Sequence, residues 1–178
     1  MSDSGLPGLR GGDHIGITVP DLDAATRFFV DVLGAEEFYV LGPIEAEDDW
    51  MKTHLGVAST ARIDRLRFLR LGAGINLELF QYTAPDQAHF QPRNSDIGGM
   101  HIALYVDDFA AALAYLIDHG VQIMGEPTVR TTGPSAGQTW VYFLAPWGLQ
   151  LELVSYPNGK EYERHTSRRL WDPRNPSS

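Results

Sequence analysis

The chain has 178 residues, of which 43% are hydrophobic and 11% aromatic, enough for one ordinary domain or two small modules sharing a core. A formal net charge of −9 argues against a nucleic-acid backbone as partner. The absence of cysteine excludes disulfides, thiolate metal ligands and cysteine nucleophiles, so any metal site must be built from His and carboxylate. Met1 to Gly12 lacks the apolar centre of a signal peptide, and no apolar stretch approaches membrane-spanning length. The cytoplasm is the expected compartment.

After an N-terminal extension (residues 1–10), His14 to Val19 alternates as a short strand. Asp21 follows as a helix cap, and Leu22, Ala25, Phe29 and Val32 give the apolar spacing of a helix that ends near Gly34. Residues 42–60 are less regular, with a short helix expected over Asp49 to Leu55. Strands are expected at Arg65 to Leu71 and Ile75 to Tyr82, joined at Ala73-Gly74. The order then restarts. His101 to Val106 reads as a strand, Asp108 as a cap, and Phe109, Ala112, Leu113 and Leu116 as a helical stripe ending at Gly120. Strands over Thr139 to Leu144 and Leu149 to Ser155 follow, turning at Pro146-Trp147-Gly148. Tyr156 to Ser178 is a polar, proline-containing tail that either wraps the surface or frays.

The restart is an internal repeat. GGDHIGITVPDLDAATRFFVD, beginning at Gly11, and GGMHIALYVDDFAAALAYLID, beginning at Gly98, share nine of 21 positions, His14/His101 among them. INLELFQY from Ile75 and LQLELVSY from Leu149 share four more, including Glu78/Glu152. Each half therefore offers one His near its start and one Glu near its end. The expected modules are residues 11–97 and 98–157, with residues 158–178 as tail.

Strand alternation sorts these residues by face. One face carries Ile15, Ile17, Val19, Leu77, Leu79, Ile102, Leu104, Val106, Leu149, Leu151 and Leu153, all aliphatic. The opposite face carries His14, Glu78, His101 and Glu152 among residues of mixed size, as a cavity wall would. Two imidazoles and two carboxylates suit one divalent ion such as Ni, Co, Zn, Mn or Fe. Burying two carboxylates without a cation is costly, which favours the metal reading of the four together.

The segments DHIGITVPDLDAATRFFVDVLG, INLELFQY, GGMHIALYVDD and FLAPWGLQLELVSYP resemble the vicinal oxygen chelate superfamily, which includes glyoxalase I, methylmalonyl-CoA epimerase, extradiol dioxygenases and bleomycin or fosfomycin resistance proteins. The resemblance spans about Gly11 to Pro157. It implies an α+β fold in which two βαβββ modules pair into a half-open mixed β-barrel around a metal site. It maps His14, Glu78, His101 and Glu152 onto the family's four metal positions, a set most similar to bacterial glyoxalase I. Ala145-Pro146-Trp147-Gly148 departs from the family's usual Asp-Pro-Asp-Gly, and no glutathione or coenzyme A signature is present, which leaves the substrate open.

The resemblance thus implies a metal-dependent lyase, isomerase or epimerase acting on a small oxygenated molecule through a metal-stabilised enediolate, with Glu152 and Glu78 as candidate proton shuttles. The alternatives are an Fe(II) extradiol-type dioxygenase using His14, His101 and Glu152, and a resistance-type protein that only sequesters a small molecule. Trp50, Phe80, Tyr105, Trp140 and Trp147 would favour the latter if they line the cavity. Arg65, Arg67 and Arg70 are read as a solvated edge, and His54, His89, His119 and His165 as surface residues. Thr131 to Gln138 reads either as a lid or as an ordinary connection. Family resemblance and open sheet edges suggest a homodimer.

Overall fold

The computed structural model describes residues 6–176; the first five residues of the N-terminal extension and the last two of the tail lie outside the described residues. The first half runs β1 (Ile15–Thr18), α1 (Leu22–Arg27), β2 (Glu36–Leu41), α2 (Trp50–Leu55), β3 (Arg62–Leu71) and β4 (Ile75–Thr83). The second runs β5 (His101–Tyr105), α3 (Phe109–Asp118), β6 (Gln122–Val129), β7 (Thr139–Leu144) and β8 (Gln150–Ser155). Each half forms its own four-stranded mixed sheet, ordered β1-β4-β3-β2 and β5-β8-β7-β6. The architecture is the expected α+β pair of βαβββ units, with the two sheets left open rather than closed into a barrel.

The same physics shapes both crossovers. The Asp21 and Asp108 side chains each accept a hydrogen bond from the backbone three residues on, at 2.9 and 3.0 Å, fixing the helix starts. Gly34 and Gly120 then adopt left-handed backbone (φ 74° and 71°), which stops the helices. The last part of the first helix differs from the simple expectation: Phe28–Val32 widens into a π-turn. The first strands then lie parallel to β4 and β8.

Aliphatic faces meet in one core. Ile17, Leu69, Leu77 and Leu79 of the first sheet join Ile102, Val141, Leu151 and Leu153 of the second around Phe29 and Leu116. Burying each such side chain is worth about 1.5–3 kcal/mol, so the alternation pins the register. Trp147, a cavity candidate from sequence, instead packs edge-on against Phe28, 6.0 Å between ring centroids, and against Phe29.

Because the aliphatic residues occupy the shared core, Glu78 and Glu152 must point to the outer faces of their sheets. A smaller cluster of Met51, Ala61, Ile63 and Leu66 sits beneath α2 and touches Phe68, Phe80 and Tyr82. It covers one end of the first outer face. The modules imply two further strands whose residues the sequence does not mark, the edge strands β2 and β6. Arg65, Arg67 and Arg70 do not lie on a sheet edge, since β3 is an inner strand; Arg65 and Arg67 bond Asp23 and Arg70 bonds Glu36, with Arg65 and Arg70 still open to solvent. His54, His89, His119 and His165 are exposed.

Candidate metal centre

His14 lies one residue before β1, where the Asn76 side chain donates a hydrogen bond to the Asp13 carbonyl at 2.9 Å and ties that backbone to β4. In the parallel register Gly16 stands beside Glu78. His14 Nε2 lies 3.1 Å from Glu78 Oε2. The second half repeats the arrangement. Ala103 stands beside Glu152, and His101 Nε2 lies 3.2 Å from Glu152 Oε2.

Each pair has an aromatic neighbour that sequence reading overlooked. Phe68 is the antiparallel partner of Glu78 and Tyr142 that of Glu152. The rings meet His14 and His101 edge-on, with centroids 5.5 and 5.2 Å apart. The signal was available: Phe68 and Tyr142 are separated by the same offset as Glu78 and Glu152.

The halves are not electrostatically equal. Asp13 Oδ2 lies 2.7 Å from His14 Nδ1, and this hydrogen bond holds the imidazole above its ordinary pKa despite some desolvation. At His101 the corresponding nitrogen has only Asn94 Nδ2, at 3.4 Å. Glu152 is the more buried carboxylate, 8% exposed, and burial raises its pKa against the lowering effect of His101 and Lys160.

The four side chains thus form two pairs. Metal bonds of about 2.1 Å at right angles put neighbouring N and O donors about 3 Å apart, which is the spacing in both. Each pair has the spacing of two neighbouring positions of an octahedral site. Within one chain the pairs do not converge: among the described residues no three His, Cys, Asp or Glu side chains are grouped to hold an ion.

The tail is part of this site's surroundings. It is ordered against the second outer face, where Glu161 N–H donates to the Ala136 carbonyl and Tyr162 N–H to the Pro134 carbonyl, at 3.0 and 2.9 Å. The segment Thr131 to Gln138 is therefore knitted to the tail. Of the other aromatic candidates, Tyr105 lines the cavity beside Glu152. Trp50 is exposed and stacks on His54, and Trp140 meets Tyr142 edge-on.

A model of the glyoxalase/bleomycin resistance protein/dioxygenase superfamily matches residues 11–153. The chain belongs to that superfamily. It is 49% identical over 174 residues to a 2-epi-5-epi-valiolone epimerase from an Actinomyces species, covering 97% of this chain and 94% of that one. Among solved structures, a glyoxalase family protein from Bacillus cereus superposes with a TM-score of 0.62 at 20% identity, covering 87% of this chain and 97% of that one. The Listeria monocytogenes fosfomycin resistance protein FosX, solved with Mn(II) and sulfate, gives 0.54 at 22% identity, covering 89% and 99%. These last two likenesses bear on the fold. Membership and the 49% identical epimerase together support an enzymatic role. Among the described residues no helix is long and apolar enough to cross a membrane.

Proposed function

We propose that the protein is a divalent-metal-dependent epimerase of a small polyhydroxylated ketone, of the kind named for its 49% identical relative. The observation that carries the reading is the pair of matched His–Glu contacts, His14–Glu78 and His101–Glu152, at 3.1 and 3.2 Å. Glu78 stands in reach of the same donor position as His14, which favours four ligands over the three-ligand dioxygenase alternative.

The two half-sites turn away from the shared core, so we infer that a complete site pairs the first half of one copy with the second half of another. The exposed edge of β2 supports such an assembly: Phe38, Tyr39, Val40 and Leu41 are each about half exposed, an apolar row that a partner would cover.

A divalent ion held by His14, Glu78, His101 and Glu152 would polarise the ketone and stabilise the negative charge created by proton removal. Glu152, the more buried of the two carboxylates, would loosen from the ion and take the proton from the carbon beside the carbonyl. The C–H electron pair becomes a carbon–carbon double bond and the carbonyl π pair moves onto the oxygen, giving an enediolate where the deprotonated carbon bears a hydroxyl. Glu78, reaching the site from the other half of the pseudo-twofold and carrying a proton while loosened from the ion, would donate that proton to the opposite face, and the configuration inverts. Proton exchange with solvent then resets both carboxyls. Phe68 and Tyr142 hold the imidazoles and exclude water from the two carboxylates.

The test is to incubate the nickel-loaded protein with 2-epi-5-epi-valiolone in D2O and follow the proton spectrum. Deuterium should enter beside the carbonyl as the epimer accumulates. Glu152→Gln and Glu78→Gln should each slow this by about 100-fold or more while the ketone still binds. Neither exchange nor epimer with the wild type would overturn the reading.

A further inference from the structure

A cavity of about 870 Å³ runs along β5 and the tail and includes Glu152, Tyr105, Val154, Tyr156 and Lys160 in its wall. Lys160 is one of two lysines in the whole chain. The other, Lys52, is exposed on α2.

The backbone holds Lys160 firmly. Gly159 before it takes a left-handed conformation (φ 80°), and its carbonyl oxygen would lie 2.7 Å from a Cβ placed on Gly137. The Lys160 N–H donates to Glu163 Oε1 at 3.1 Å, and the two following N–H groups bond Ala136 and Pro134. The ammonium lies 4.0 Å from the centroid of the Tyr156 ring. Among the described residues it forms no ion pair and donates no hydrogen bond.

A structural cation would be paired. Arg174, in the same wall, shows the contrast: it bonds the Asp172 carboxylate and the Tyr156 carbonyl, and its guanidinium already lies 4.9 Å from the same Tyr156 ring. A second cation on that ring adds repulsion from Arg174 without adding a partner. Burial also pulls the Lys160 pKa below its ordinary value, although Glu163 and Glu152 oppose this. An ammonium carries three donors and no acceptor, so half-burying one with its donors unspent makes sense where an oxygen-rich ligand arrives.

We infer that Lys160 is a substrate-contacting residue, donating to a hydroxyl or carbonyl oxygen of a polyol ketone on the Glu152 side of the site. This rests on the proposed function for the identity of the ligand. It has no counterpart in the first half, where α2 rather than a tail covers the equivalent end of the sheet. The two sides of the cavity are therefore chemically different, and a substrate binds in one orientation.

The experiment uses the full nickel-loaded chain and 2-epi-5-epi-valiolone. Partial acetylation followed by mass spectrometry reads both lysines at once, without turnover. The ketone should protect Lys160 several-fold and leave Lys52 unchanged. In kinetics Lys160→Met should raise KM by about tenfold or more, with bound metal per chain and Tm unaltered, and Lys160→Arg should recover part of the loss. Lys160 left unprotected, or Lys160→Met with wild-type KM and kcat, overturns the inference. A wild type that protects Lys160 yet exchanges no proton would keep the contact and remove the epimerase reading, so the two failures are distinct.

Discussion

A Cβ added to Gly99 would run into the Arg93 carbonyl oxygen and lie 2.8 Å from that of Asp96, whereas one added to Gly12 would meet nothing within 4 Å. The two glycines hold the same place in the repeat. The difference arises because the turn at residues 93–99 folds under β5, where Arg93 bonds Asp96 through both backbone and side chain. The obstacle is backbone, which cannot rotate aside. Gly99→Ala should therefore cost about 1–3 kcal/mol in urea unfolding, while Gly12→Ala should stay within about 0.5 kcal/mol. Equal effects would mean that the repeat glycines serve a common purpose. Residue identity alone did not distinguish them, because the contact is made by a segment outside the repeat. The four candidate ligands were legible for the opposite reason: each sits inside a repeated block whose alternation sets its face.

At the scale of elements, the strands with apolar alternation could be read and the edge strands could not. β6 contains Gly125 and Pro127, which read as a turn, and its pairing slips between Met124 and Thr128. An edge strand tolerates both, since one side of it lacks a ladder to interrupt. β2 is exposed along its whole length and so shows no alternation to detect. The tail's course was equally hidden, because it is held by backbone hydrogen bonds and by the ion pairs of Arg174 with Asp172 and Glu163 rather than by a hydrophobic stripe. Arg174 holds Asp172 down to about 2 from an ordinary 3.8, chiefly through their hydrogen bond. A depressed carboxyl stabilises the folded form fully above the unfolded value and loses that contribution as pH falls through the folded one. The pair is partly solvated and worth about 1 kcal/mol. The stability difference between wild type and Asp172→Asn should thus be constant from pH 7 to about 4 and shrink toward pH 2. A difference of full size at pH 3 would place the stabilisation elsewhere.

For the whole molecule, the two decorations that exceed the bare repeat fall at equivalent places. The α2 cluster packs on Tyr82 and the tail on Tyr156, residues that match in the repeat. Both outer faces are therefore walled at the same end and left open where the His–Glu pairs stand. The site proposed above, shared between two chains, makes a prediction that a self-contained site would not. Neither His14→Ala nor His101→Ala should epimerise alone, since every site in either homodimer lacks a ligand. When the two are unfolded, mixed and refolded together, each heterodimer joins the intact first half of one chain to the intact second half of the other. Random pairing of equal amounts then restores one site in four, about a quarter of wild-type activity. Recovery near that level, with one metal ion per heterodimer, supports the exchanged site. If each chain instead brought its own four ligands together, every chain in the mixture would still carry a defective site, and no activity would return.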